Sequence, residues 1–115
     1  MSVRQEHGAE MPPEITQAIA QLEHQRREAD RIRQAIDQLV VKGASRGNEV
    51  VATVRGTGRI TEVSIEPEVL RRYDAYDVGV LVTEAVNNAQ DRLAKATEAR
   101  FAPLITAADR LVSSV

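Results

Sequence analysis

The sequence predicts an α+β protein in which a small antiparallel sheet is flanked by long helices. Three observations carry that expectation. Asn48 to Leu70 contains two runs of alternating apolar and polar residues about a Gly-Thr-Gly turn. A long apolar stripe with helical spacing precedes this stretch, and an Ala/Val-rich stripe with the same spacing follows it. A two-stranded hairpin is marginal alone, so the flanking helices must cover its apolar face.

Met1 to Met11 is polar and aperiodic, and Pro12-Pro13 disfavours helix in the preceding residue, so residues 1–12 are expected to be a flexible tail. Residues 13–115 then form one domain. From Pro13, which suits a first helical position, Ile15, Ile19, Leu22, Ala29, Ile32, Ile36 and Leu39 recur at helical spacing. Such a helix would extend roughly 40 Å, and its stripe is too long for one hairpin to cover. The surplus points to packing against the second helical region or another subunit. Leu39 to Gly47 is breaker-rich, and it either ends the helix directly or holds a short extra strand. We favour the strand.

Val50, Ala52 and Val54 alternate with Val51, Thr53 and Arg55, and Thr61, Val63 and Ile65 alternate with Ile60, Glu62 and Ser64. Gly56 and Gly58 can supply the positive φ of a hairpin loop, so Arg55 to Arg59 reads as a projecting turn. Pro67 ends the second strand, and Val69 and Leu70 are placed back on the core. Asp77 is read as the cap of a second helix whose apolar face runs Val78, Leu81, Val82, Ala85, Val86, Ala89, Leu93 and Ala96. Pro103 interrupts it, and the C-terminal extension from about residue 101 is a short helix or a kinked continuation.

Composition narrows the chemistry. The chain has 115 residues, no cysteine and 3 % aromatics, which excludes disulfides and thiolate catalysis and disfavours an aromatic-lined ligand pocket. No apolar run reaches membrane-spanning length and no signal peptide is apparent, so a soluble cytoplasmic protein is expected. His24 has no second ligand at helical spacing, and a solvated histidine accounts for it. Gly56-Thr-Gly58 leads into a strand rather than a helix N-terminus and is not a phosphate cradle. Asn87 and Asn88 sit in a helix that they disfavour; one facing water and one bonding a neighbouring segment explains the pair. Neither a catalytic nor a metal-binding constellation emerges, and no cofactor is implied.

Charge is more informative by segment. The formal total is −2. Lys42 to Arg59 holds four bases against one acid, a local +3, whereas Glu62 to Asp77 holds five acids against two bases, a local −3. In the first helix Arg27 and Arg31 share an outward face at i, i+4. A salt-bridged, solvated helix with Glu23, Glu28 and Asp30 is the structural explanation; phosphate contact is the functional one. For the turn arginines, Arg55 and Arg59, the two explanations weigh equally.

Val51-Ala-Thr-Val-Arg-Gly56, Ile65-Glu-Pro-Glu-Val-Leu70 and Ala85-Val-Asn-Asn-Ala89, in this order over roughly residues 13 to 100, resemble the YbaB/EbfC family of bacterial nucleoid-associated proteins. The resemblance implies an α-β-β-β-α fold, a homodimer, sequence-tolerant binding of double-stranded DNA, a place on the cytoplasmic nucleoid and no enzymatic activity. It also favours the extra strand near Val40 to Ser45. Joined to the local +3, it nominates Arg27, Arg31, Arg46, Arg55 and Arg59 for DNA contact. The chain departs from a basic DNA-binding pattern in its total charge and in Phe101 to Val115, where Arg110 is the sole base. The alternative is a protein-interaction or scaffold module of the same fold, in which the arginines meet an acidic protein partner.

Overall fold

The computed structural model describes residues 11–113. The tail expected over residues 1–12 lies outside that range except for Met11 and Pro12. Helix α1 spans Pro13–Asp37. Its first position is Pro13, whose missing N–H costs nothing there. The Pro12 carbonyl accepts from the N–H groups of Ile15 and Thr16, each at 3.1 Å. The β-favouring Val40-Val41 pair then draws the chain into strand β1, Val40–Ala44, so the extra strand forms and Gly43 lies inside it.

Strand β1 pairs antiparallel with β2, Val50–Arg55, which pairs antiparallel with β3, Ile60–Ile65, in the order β1-β2-β3. Between β1 and β2, Gly47 and Asn48 both adopt positive φ, 76° and 60°. Ser45 closes this connection, its Oγ accepting from the Val50 N–H at 3.0 Å. In the β2–β3 turn only Gly58 has positive φ, 92°. Gly56 is needed for a different reason: a Cβ there would lie 1.5 Å from the Ile36 carbonyl oxygen, because the turn abuts the end of α1.

The alternation read along β3 needs one correction. Val54 pairs with Ile60 while Thr53 pairs with Glu62, so a bulge leaves Thr61 unopposed. The bulge shifts the parity, and Ile60, Val63 and Ile65 share the core side instead of Thr61, Val63 and Ile65. Sequence periodicity cannot register the extra residue.

Pro67 does more than stop a strand, for it opens a one-and-a-half-turn helix, α2, Pro67–Arg72. Val69 is fully buried, but Leu70, expected on the core, points outward with 65 % of its surface exposed. Helix α3 runs without a break over Ala75–Ser113 and contains Pro103. Its cap is Asp74, not Asp77: the Asp74 carboxylate accepts from the Asp77 N–H at 2.8 Å. Asp77 instead places its charge in the first turn, where the helix dipole favours it.

The core is formed where α3 crosses β1 and β2. Val50, Ala52 and Val54 meet Ala85, Ala89 and Leu93, with Leu39, Val41, Ile60, Ile65, Leu81, Val82 and Val86 packed around them. Small side chains bring the helix close to the sheet, and Gly43 lies directly beneath the α3 backbone at Ala89. Beyond the sheet, α3 continues alongside α1 in the opposite direction: residues 20–25 lie by 107–111, and 28–32 by 100–104. The two helices form an arm, and the protein measures 82 × 33 × 17 Å. Along the α1 stripe cover falls off with distance from the sheet, Ala29 and Ile32 being half-buried. Ile36 is buried, but Ile15, Ile19 and Leu22 keep 49 %, 42 % and 63 % of their surface.

Asn88 answers the question raised by the asparagine pair. Its Oδ1 accepts from the Ala44 N–H at 2.9 Å, capping the outer edge of β1, while Asn87 is exposed. Asn88→Ala leaves that half-buried amide unpaired and is expected to lower stability by about 1–2 kcal/mol. Urea denaturation should show the midpoint falling at unchanged slope.

Candidate nucleic-acid interface

The five nominated arginines fall into three places. Arg27 and Arg31 lie on the exposed side of α1, as their i, i+4 spacing requires. Arg31 pairs with Glu28 one turn earlier, and Arg27 has no acidic partner among the described residues. Exposed pairs of this kind are weak and readily exchanged for another anion.

Arg55 and Arg59 flank the β2–β3 turn, which sits at the base of the arm rather than projecting freely. The Gly56 N–H donates to the Leu39 carbonyl at 2.9 Å, and Gln90 Nε2 donates to the Gly58 carbonyl at 3.1 Å. The α1–β1 link and helix α3 therefore hold the turn. The Arg55 and Arg59 side chains remain exposed and form no ion pair among the described residues.

Arg46 stands at the opposite end of the strands. Val40 is the β1 residue opposite Arg55, and Arg46 follows the other end of β1, at least about 13 Å of strand away. Glu84 of α3 takes it in a forked arrangement: Arg46 Nη2 and Nε donate to Glu84 Oε2 at 2.9 and 3.3 Å, and the Arg46 backbone N–H donates to Oε1 at 3.1 Å. The local +3 of the sequence is thus divided by the fold. These hydrogen bonds, chiefly from the guanidinium and next from the backbone amide, hold the Glu84 carboxyl below its ordinary value of 4.5 against an opposing loss of hydration.

Because the folded-state value is lowered, the pairing stabilises the protein above the ordinary carboxylate range and is lost as pH falls through the folded value. Glu84→Gln should therefore lower the melting temperature modestly at neutral pH. The gap from wild type should close as pH drops below 4.5, which a melting series across acidic buffers checks.

At the same end of the sheet, Arg72 lies 3.8 Å from Glu49 and 5.9 Å above the Tyr73 ring, and Arg71 pairs with Glu68. Among the described residues no group of three or more His, Asp or Glu side chains could hold a metal ion. No helix among them is long and apolar enough to cross a membrane.

A protein-family model described as the YbaB/EbfC DNA-binding family matches residues 11–108. The chain belongs to this family. Among similar proteins, a nucleoid-associated protein of Rhodococcus erythropolis is 28 % identical over 80 % of this chain and 82 % of its own length. One from Corynebacterium kroppenstedtii is 26 % identical over 79 % and 91 %. The crystal structure of an uncharacterized protein from Helicobacter pylori superposes with a TM-score of 0.65 at 14 % identity. That superposition covers 78 % of this chain and 95 % of the other, and it supports the fold.

This YbaB/EbfC protein also carries basic residues outside the nominated set. Arg92 Nη1 donates to the Lys42 carbonyl at 3.1 Å and is thereby tied to the β1 edge. Lys95 and Arg100 continue along the exposed arm. Their signal was available in the spacing, since Arg92 lies four residues after Asn88 on the same side of the helix.

Proposed function

We propose that the protein is a non-enzymatic, nucleoid-associated protein of bacteria that binds double-stranded DNA as a homodimer, with guanidinium groups contacting phosphates and little sequence preference. Family membership supports the DNA partner. The single observation that carries the mechanism is the set of exposed guanidinium groups at the base and along the side of the arm. Among the described residues Arg55, Arg59 and Arg27 are unpaired, and Arg31 is held only by an exposed neighbour. Such groups meet phosphates at little cost because at most one exposed ion pair, Arg31–Glu28, must be broken. Arg46 is the weakest member of the nominated set, since a phosphate must displace Glu84 to reach it. Phosphate contacts position a protein without reading sequence. The uncovered α1 stripe supports the homodimer, because a lone protomer leaves Ile15, Ile19 and Leu22 in water.

A gel-shift series with duplex DNA at rising salt tests the reading. Retardation at micromolar protein and low salt, fading steeply as salt rises, is expected. Absence of retardation at low salt would refute it. That result would favour the protein-interaction module, whose own support is the exposed apolar pair Tyr76 and Val80 on α3.

A further inference from the structure

The sheet register gathers three bases on one face of the molecule, and one of them, Lys42, stands outside the nominated arginines. Val50, Ala52 and Val54 point to α3, so Val51, Thr53 and Arg55 point the other way. Directly paired residues share a face, and β1 therefore adds Val40, opposite Arg55, and Lys42, opposite Thr53. From β3 comes Glu62, opposite Thr53, and from the start of that strand Arg59, whose carbonyl accepts from the Arg55 N–H at 2.8 Å. Arg55 and Arg59 are thus neighbours across the hairpin. Lys42 is the diagonal neighbour of Arg55, about 7–8 Å away between Cα atoms.

Nothing in the protomer neutralises this group. Lys42, Arg55 and Arg59 are exposed, and among the described residues none of them forms an ion pair. Glu62 is the one acid that the register places on this face, and it is unpaired as well. Like charges directly opposite each other weaken a sheet, so the Arg55–Arg59 pair is unfavourable unless an anion lies between them. The backbone beneath the bases is already fixed. Arg92 holds the Lys42 carbonyl, the Gly56 N–H is bonded to the Leu39 carbonyl, and Gln90 holds the Gly58 carbonyl. Charges carried on a fixed backbone lose less freedom when a ligand arrives.

We propose that Lys42, Arg55 and Arg59 form one phosphate-binding patch on the sheet face turned away from α3, and that the backbone of duplex DNA crosses the strands there. This rests on the DNA reading above and assigns it a face. Lys42 becomes a phosphate ligand beside the two turn arginines. Arg46, beyond the far end of β1 and held by Glu84, lies outside the patch.

The chain has two lysines, Lys42 on this face and Lys95 on α3, so acetylation of amines read by peptide mass reports the contact directly. With duplex DNA bound at low salt, Lys42 is expected to react several-fold more slowly than in the free protein and to be protected more strongly than Lys95. Lys42→Ala should lower the logarithmic salt slope of binding by about 0.9. Its melting temperature should match wild type, because the Lys42 side chain makes no hydrogen bond or ion pair among the described residues. Glu62→Gln removes the one acid of the face and should tighten DNA binding by about threefold. A wild-type protein that does not retard duplex DNA would overturn the DNA reading and this patch with it. If the wild type binds but Lys42 reacts at its free rate, or Lys42→Ala keeps the wild-type slope, the patch alone is overturned.

Discussion

Replacing Gly43 by alanine is expected to destabilise the protein by about 3 kcal/mol or more, a large part of the stability of a small domain. A Cβ at this position would lie 2.1 Å from the Ala89 nitrogen, 2.5 Å from its Cα and 2.7 Å from the Asn88 carbonyl carbon. These are backbone atoms of a helix and cannot swing aside, so α3 must lift from the sheet. Lifting it opens the seam between Val50, Ala52 and Val54 and the facing Ala85, Ala89 and Leu93. It also strains the Asn88–Ala44 and Arg92–Lys42 hydrogen bonds that close the β1 edge. Gly79→Ala is the matched control. It lies inside α3 with nothing within 4 Å of the added methyl, and alanine there should raise stability by up to about 1 kcal/mol through helix propensity. Urea denaturation of the two variants separates close approach from backbone freedom: equal midpoints would refute the packing argument.

The second large effect is expected on DNA. Changing Arg27, Arg31, Arg55 and Arg59 to alanine together should weaken duplex binding by about a hundredfold or more at low salt. It should also flatten the logarithmic salt dependence by about 0.9 for each phosphate that is no longer neutralised. Arg46→Ala should leave that slope nearly unchanged, because Glu84 already holds the side chain. The Arg27/Arg31 pair is best measured separately. It lies along α1 rather than at the turn, so its removal alone should reduce DNA affinity by less than the fourfold change. An unchanged slope in the fourfold variant would remove these arginines from the interface.

Much of the fold was legible because helices and strands declare themselves locally. The spacing from Ile15 to Leu39 and from Val78 to Ala96 reports a helical face wherever that face ends up, and the Val50–Val54 alternation reports a half-buried strand. Gly56 shows the limit of such reading. Its place in a hairpin loop predicts a glycine for positive φ, whereas the observed cause is contact with the end of α1. The Thr61 bulge and the α2 helix were missed for a related reason. One inserts a residue without changing composition, and the other begins at a proline that reads equally as a stop.

The candidate interface was less legible than the fold. Arg46, Arg55 and Arg59 are close in sequence and were summed into one basic segment, but an antiparallel strand reverses direction and sets Arg46 at the other end. There it meets Glu84, 38 residues away. By itself the sequence determined the element order, the apolar faces, the opposite charges of residues 42–59 and 62–77, and the family, since each is written in residue type and short-range spacing. Only the tertiary structure decided which arginines are neutralised, which glycines are pressed against backbone and which bases share a face of the sheet. Each of those depends on contacts between residues far apart in the chain, and their distance in space is set by the path of the whole backbone.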